Sequence, residues 1–75
     1  MSPKQEIQNR VRQHRLLAGM TQQELADRIE VTRQTVLSIE RGRYNPSVGL
    51  ALSMAEVFGV AVEDLFQIDR GESDA

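Results

Sequence analysis

The chain has 75 residues, of which 40% are hydrophobic, 27% are charged and none is cysteine. This length suits one domain with a small core. The lack of cysteine excludes disulfides and thiolate metal sites and favours a reducing compartment. No apolar run is long enough to span a bilayer, and residues 1–13 lack the apolar segment of a signal peptide. We therefore expect a cytoplasmic protein that does not enter a membrane.

The formal net charge is −2, but the charges are distributed unevenly along the chain. Residues 1–46 contain eight Lys or Arg and five Asp or Glu, whereas residues 47–75 contain one Arg and six Asp or Glu. Because salt screens charges beyond about 8 Å, a basic half can attract phosphates although the whole chain is acidic. The alternative interpretation is a chance asymmetry.

The spacing of apolar residues predicts helices throughout and no strand. The first helix is expected from about Lys4 to Ala18, with Gly19 as its left-handed C-terminal cap. Thr21 and Glu24 then form a capping box that opens the second helix. The inward-facing residues of these two helices are predicted to be Ile7, Val11, His14, Ala18, Leu25, Ala26 and Ile29.

Three more helices are predicted after the second. Thr32 caps a third helix that runs to about Arg41, and Ser47 caps a fourth helix that ends at Gly59. A one-turn fifth helix covers about residues 62–66. The inward-facing residues of the third and fourth helices are predicted to be Val36, Ile39, Val48, Ala51, Met54, Ala55 and Phe58.

Together these elements predict an all-α fold, a compact bundle of five short helices. We expect one helical domain over residues 4–66. A flexible acidic tail is expected over residues 67–75, because that segment has almost nothing to bury.

Residues 21–42 have the layout of a DNA-binding helix-turn-helix. The turn between the second and third helices is only about three residues long, as expected for this motif. The small Ala26 allows the two helices to cross closely, while Val36 and Ile39 fix the inner face of the third helix. The outward or sideways positions then include Arg33, Gln34, Thr35 and Ser38.

These outward side chains have the chemistry of base recognition. Arg donates two hydrogen bonds to guanine, Gln pairs with adenine, and hydroxyl groups are less selective. The start of the second helix, near Gln22, offers N–H groups to a phosphate, and the loop residues Arg41, Arg43, Tyr44 and Asn45 are placed to hold the DNA backbone. The alternatives are a solvated helix face, plain surface arginines, and a tyrosine packed on its own loop.

The motifs T-Q-x-E-L-A, V-T-R-Q-T, I-E-x-G and Y-N-P-S follow one another between about residues 7 and 66. In this order and spacing they resemble the XRE family, the Cro and phage-repressor type of helix-turn-helix regulator. The resemblance implies a lambda-repressor-like DNA-binding domain with its helix-turn-helix at helices 2 and 3. It also implies a sequence-specific transcription regulator of the repressor kind. One module this small buries too little surface for genomic specificity, so we expect a homodimer on a pseudo-palindromic operator in double-stranded DNA.

The resemblance gives Gln22 a phosphate-and-groove contact and gives Arg33, Gln34 and Ser38 the base-edge positions. It also implies a structural ion pair between Arg15 and Glu40. With the residues singled out by their chemistry, the expected contacts form two groups. The residues expected to contact base edges are Arg33, Gln34, Thr35 and Ser38. The residues expected to contact the DNA backbone are Gln22, Thr32, Arg41, Arg43, Tyr44 and Asn45.

The chain departs from the family pattern in three places. Glu30 stands where Gly is usual, so a non-glycine residue is expected to adopt positive φ. Ala61 stands where Ser or Thr caps the last helix, which predicts a less firmly held helix. Leu16 and Leu17 stand where charged residues are usual. They are either scattered surface residues or a patch for a dimer or another protein partner.

Other functions remain as alternatives at this stage. An antitoxin-type regulator would bind DNA and also neutralise a partner toxin through Leu16, Leu17 or the C-terminal surface. A protein-interaction module that no longer binds DNA would be expected to lack the Gln and Arg residues that are present. An enzyme is disfavoured and no cofactor or metal is expected, because His14 is the only histidine and no phosphate-binding loop occurs.

Overall fold

The computed structural model describes residues 6–69, which form five α-helices and two β-strands. Their order is β1 (Glu6–Asn9), α1 (Val11–Leu17), α2 (Gln22–Ile29), α3 (Arg33–Glu40), α4 (Val48–Phe58), α5 (Val62–Leu65) and β2 (Phe66–Asp69). The predicted helical fold of five short helices is confirmed. No helix in this part of the chain is long and apolar enough to cross a membrane.

The prediction that no strand occurs was wrong. β1 pairs with β2 in an antiparallel two-stranded sheet, in which Ile7 lies opposite Ile68. Residues 6–10 therefore do not belong to the first helix, and Lys4, its predicted start, lies outside the described residues. The strand forms because its backbone groups pair with the far end of the chain. Such a long-range partner leaves no signal in a four-residue window.

The predicted flexible tail is wrong for its first three residues. Gln67–Asp69 lie in β2 and pair with β1, so their backbone is held by the sheet. The sheet also sets the start of α1, because the backbone N–H of Arg10 donates to the Leu65 carbonyl at 2.8 Å. The remaining predicted tail, residues 70–75, lies outside the described residues.

The predicted helix caps are confirmed. Thr21 Oγ1 accepts from the Glu24 N–H at 3.0 Å, and Glu24 Oε1 accepts from the Thr21 N–H at 2.8 Å. Thr32 and Ser47 each accept a hydrogen bond from the backbone N–H three residues later, both at 3.1 Å. Gly19 adopts a left-handed conformation with φ of 71° after α1. The Thr and Ser caps satisfy N–H groups that the N-terminus of an isolated helix leaves unpaired.

The core lies among the helices and contains most of the predicted inward residues. Three predictions fail. Ile7 lies in β1, Ala18 is exposed after the last residue of α1, and Val48 is 77% exposed because it opens α4. His14 is half-buried, with its ring 6.0 Å from that of Phe58, and so acts as a packing residue. The buried apolar side chains are Val11, Leu25, Ala26, Ile29, Val36, Ile39, Met54, Ala55 and Leu65.

The positive φ predicted at Glu30 is confirmed, whereas the weaker hold on α5 predicted from Ala61 stays a prediction. Glu30, which follows α2, has φ of 61° and ψ of 46°, in the left-handed region. Its N–H still donates to the Ala26 carbonyl, so the turn toward α3 is made at the expense of backbone strain. Ala61 has no side-chain oxygen to cap α5, although Asp64 Oδ2 accepts from the Ala61 N–H at 3.1 Å.

Candidate nucleic-acid interface

α3 is locked on one face and open on the other. Val36 and Ile39 are at most 1% exposed and pack against the core, including α2. Arg33 and Gln34, in the first turn of the helix, are exposed. Because burial of Val36 and Ile39 fixes the rotation of the helix about its axis, helical geometry directs Arg33 and Gln34 away from the core. A helix held in this way can present its first turn to the edges of bases.

Thr32 and Thr35, at the start of α3, are hydrogen-bonded to each other. Thr32 Oγ1 and Thr35 Oγ1 lie 3.0 Å apart, and Thr32 Oγ1 also accepts from the Thr35 N–H at 3.1 Å. Thr35 is half-buried. A hydroxyl group has one donor and two acceptor positions, so this pairing still leaves capacity for an external contact.

An open groove of about 240 Å³ runs beside the outward face of α3. It brings Tyr44, from the following loop, together with the helix residues. Tyr44 is 46% exposed, and it therefore lines the groove instead of being buried in the loop. The lining residues are Thr32, Gln34, Thr35, Ser38 and Tyr44.

The loop after α3 is folded back onto the end of that helix. The Arg43 N–H donates to the Ser38 carbonyl and the Gly42 N–H donates to the Ile39 carbonyl, both at 2.9 Å. Gly42 has φ of 74°, and this left-handed conformation reverses the chain. The loop thereby leaves Arg43, Tyr44 and Asn45 exposed at the C-terminal end of α3.

A buried ion pair connects α1 to α3. Arg15 Nε donates to Glu40 Oε2 at 2.6 Å and Arg15 Nη2 donates to Glu40 Oε1 at 3.2 Å. The Arg15 and Glu40 side chains are 9% and 3% exposed. A third Arg15 nitrogen, Nη1, donates to the Met20 carbonyl at 2.9 Å, just before α2. The guanidinium group thus satisfies partners on both sides, as a buried charge requires.

Gln22, at the first position of α2, joins this ion pair. Its Nε2 donates to Glu40 Oε1 at 3.2 Å, and the residue is half-buried. Because the amide nitrogen carries two hydrogens, the contact with Glu40 orients the group and leaves a second N–H for another acceptor. Gln22 is therefore held where α2 begins, next to the end of α3.

Arg41 lies apart from the groove that Tyr44 lines. It borders a second open groove, together with Arg10, Gln13 and Glu40, where α3 meets β1 and α1. Arg10 and Gln13 are exposed and were not singled out by the sequence analysis. The sequence analysis placed both residues inside a long first helix and so did not predict that they lie near Arg41. The one sequence signal for a basic surface here was the excess of basic residues in the first half of the chain.

Asn9 is a third residue that the sequence analysis missed. Its Nδ2 donates to the Ile39 carbonyl at 2.9 Å, and its Oδ1 accepts from the Val11 N–H at 3.2 Å. One amide group thus satisfies a carbonyl near the end of α3 and an N–H at the start of α1. This contact connects the two-stranded sheet to α3.

Comparison with known proteins places these features in a family. Residues 11–65 match the helix-turn-helix family. An HTH-type transcriptional regulator of Archaeoglobus fulgidus is 46% identical over 66 residues, which cover 88% of this chain and 94% of that protein. The HTH-type transcriptional regulator YgzD of Bacillus subtilis is 40% identical over 64 residues, which cover 85% of this chain and 97% of that protein.

Solved structures share the same fold. The clp gene regulator ClgR from Corynebacterium glutamicum has a TM-score of 0.68 and 33% identity over 72% of this chain and 57% of its own chain. The restriction-modification controller protein C.AhdI from Aeromonas hydrophila has a TM-score of 0.67 and 28% identity over 72% of this chain and 78% of its own. With its capped helix pair and its matched span, the chain belongs to the XRE-type helix-turn-helix family of DNA-binding transcription regulators.

Proposed function

We propose that this chain binds a pseudo-palindromic operator as a homodimer, with α3 in the major groove, and represses transcription. The observation that carries the proposal is the exposed pair Arg33 and Gln34 on a helix whose inner face is locked. Such a helix suits direct readout, because an arginine can pair with guanine and the neighbouring glutamine can pair with adenine. Repression of a promoter that overlaps the operator needs no further protein surface, because the bound dimer occupies the DNA that the polymerase needs.

The proposed contacts divide into two classes with different consequences. The base contacts are Arg33, Gln34, Thr35 and Ser38, and each good bidentate pair discriminates by about 1–3 kcal/mol. The backbone contacts are Gln22, Thr32, Arg41, Arg43, Tyr44 and Asn45, which fix position without carrying sequence information. The proposal includes neither a catalytic activity nor a cofactor.

The ion pair has a positioning role in this proposal. Glu40 accepts from Arg15 and from Gln22, so it holds the α2 amide in a fixed relation to α3. A phosphate contact from Gln22 would then set the depth at which α3 enters the groove. This arrangement lets backbone contacts on α2 determine which bases α3 can reach.

The experiment that tests the proposal is selection from a random duplex pool with the full chain. The expected result is a two-fold symmetric motif that the double variant Arg33→Ala, Gln34→Ala no longer enriches. Arg28→Ala is the matched control, because it removes the same charge from an exposed position on α2. Failure of the wild-type chain to enrich any sequence at moderate salt would reject the proposal.

A second candidate function is an antitoxin-type regulator. It is favoured by Leu16 and Leu17, which are 52% and 84% exposed at the end of α1. Such a protein would bind DNA with α3 and a toxin with this leucine pair. This function would be supported by a neighbouring gene that encodes a toxin-like protein and by co-purification of that protein with the chain. If a Leu17→Lys variant no longer co-purified with that protein, the leucine pair would be identified as the toxin-binding surface.

A further inference from the structure

We propose that the open groove between the end of α3 and the start of α1 binds the phosphate backbone of one DNA strand. This α1–α3 groove has a volume of about 340 Å³, and its lining includes Arg10, Gln13, Glu40 and Arg41. The inference rests on the proposed function, in which Arg41 contacts the DNA backbone. It adds Arg10 and Gln13 as contacts and assigns them to a site separate from the groove beside Tyr44.

Arg41 places one side of this groove on the outward face of α3. It is the C-cap of the helix and keeps a right-handed helical conformation. Arg41 lies seven positions after Gln34, which is two helical turns, so the two residues are on the same side of the helix and about 10 Å apart along its axis. Because the major groove of DNA is about 12 Å wide, a helix that sets Gln34 against base edges brings Arg41 to the wall of that groove, where the phosphates lie.

Arg10, on the other side of the groove, is held in place by its backbone and by its neighbour. Its N–H donates to the Leu65 carbonyl at 2.8 Å. The preceding residue, Asn9, donates from Nδ2 to the Ile39 carbonyl at 2.9 Å and so fixes the end of β1 to α3. Because these contacts do not use the Arg10 guanidinium group, that group is available to an external partner next to Arg41.

The groove presents positive charge that residues 6–69 do not neutralise. Arg10 and Arg41 are exposed, and neither side chain has a hydrogen bond or an ion pair within this part of the chain. The one carboxylate in the lining, that of Glu40, is 3% exposed and paired with Arg15. Two guanidinium groups without an acidic partner favour an anion, and they form charge-assisted hydrogen bonds with phosphate oxygens.

The groove continues a row of donors that begins at α2. Gln22, a proposed phosphate contact, donates to Glu40, the residue directly before Arg41. Gln13 is exposed in the first turn of α1, three positions after Arg10, and adds a neutral amide donor to the same groove. Donors that follow one another along the side of a reading helix suit the backbone of one strand, which positions the protein without carrying sequence information.

The salt dependence of duplex DNA binding by the full chain tests this inference. Each phosphate contact contributes about 0.9 to the slope of log K against log salt, so Arg10→Ala is expected to lower the slope by about 0.9 for each bound copy. The variant is also expected to bind all sequences more weakly by a similar factor, with the selected motif unchanged. Arg12→Ala is the matched control, because it removes the same charge from an exposed position on α1 outside the groove. Equal changes of slope in the two variants would overturn the inference.

Neutral methylphosphonate linkages, placed one at a time in the selected duplex, locate the contact. The wild-type chain is expected to lose roughly tenfold in affinity at one symmetric pair of linkages. Arg10→Ala is expected to lose most of this sensitivity, whereas Arg12→Ala is expected to retain it. Circular dichroism checks the fold, which Arg10→Ala is expected to keep because the structural bond of Arg10 to Leu65 is made by its backbone. A profile for Arg10→Ala that matches wild type at every linkage would overturn the inference.

The outcomes separate this inference from the proposed function. Phosphate contacts do not depend on sequence, so the salt measurement can also be made on a non-specific duplex. If no motif is enriched but Arg10→Ala alone lowers the slope on that duplex, the phosphate site stands and the proposed operator binding fails. If a motif is enriched and Arg10→Ala keeps the wild-type slope, the site is rejected and the proposed function stands. A chain that binds no duplex at all would reject both.

Discussion

Replacement of Glu30 by glycine is expected to stabilise the fold. Glu30 has φ of 61° and ψ of 46°, a conformation that costs an L-residue about 1–2 kcal/mol. Glycine removes this cost but loses about 0.4–1 kcal/mol through the greater freedom of the unfolded chain. The net gain in the free energy of unfolding is therefore about 0–1.6 kcal/mol, centred near 0.8 kcal/mol, and a gain of about 1 kcal/mol raises Tm by roughly 4–8 °C in a domain of this size.

Urea titration and thermal melting followed by circular dichroism measure this gain. Glu30→Ala is the control, because it removes the carboxylate and keeps a Cβ in the strained conformation, and it is expected to give less stability than glycine. Glu30→Asn is expected to fall between the two, since asparagine tolerates the left-handed region better than most residues. If Glu30→Gly were less stable than wild type, the side chain would be contributing more than the strain costs and the reasoning would be refuted.

Two further stability changes are expected. Arg15→Met or Glu40→Met alone should each cost about 3–5 kcal/mol, because the remaining buried charge loses its partner, whereas the double variant should cost clearly less than the sum. A denaturant double-mutant cycle checks this coupling, and additive losses would contradict it. Ala61→Ser should add about 0.5–2 kcal/mol by capping α5, measured as a rise in the denaturation midpoint, with Ala61→Val as the uncapped control.

Local sequence signals predicted the helical part of the fold because the physics that forms those elements is local. Thr21, Thr32 and Ser47 cap helices through backbone groups three residues away. The strained turn at Glu30 was predicted from the family resemblance, because Glu30 stands where Gly is usual. The two-stranded sheet was missed because β1 is stabilised by β2 at the far end of the chain. Val48 was placed in the core because its spacing fits the apolar stripe of α4. In the structure Val48 is exposed, and the first residue of that stripe to be partly buried is Ala51.

The candidate site was predicted as a set of residues but not as an arrangement. The sequence placed Gln34 and Ser38 on one helix, yet only the fold shows that Tyr44 joins them along one groove. Arg41 was grouped with Arg43 by proximity in sequence, and the structure instead sets it beside Arg10. The link from Gln22 to Glu40 also depends on three helices meeting, which no single segment encodes.

The measurement that tests the central claim most directly is a separate DNA selection with Arg33→Ala and with Gln34→Ala. If α3 reads base edges, each variant should still enrich a two-fold motif but lose discrimination at its own symmetric pair of positions. The expected loss is about 1–3 kcal/mol at those positions in competition binding. Uniformly weaker binding with the motif unchanged would mean that both side chains contact only the backbone, and it would contradict the account.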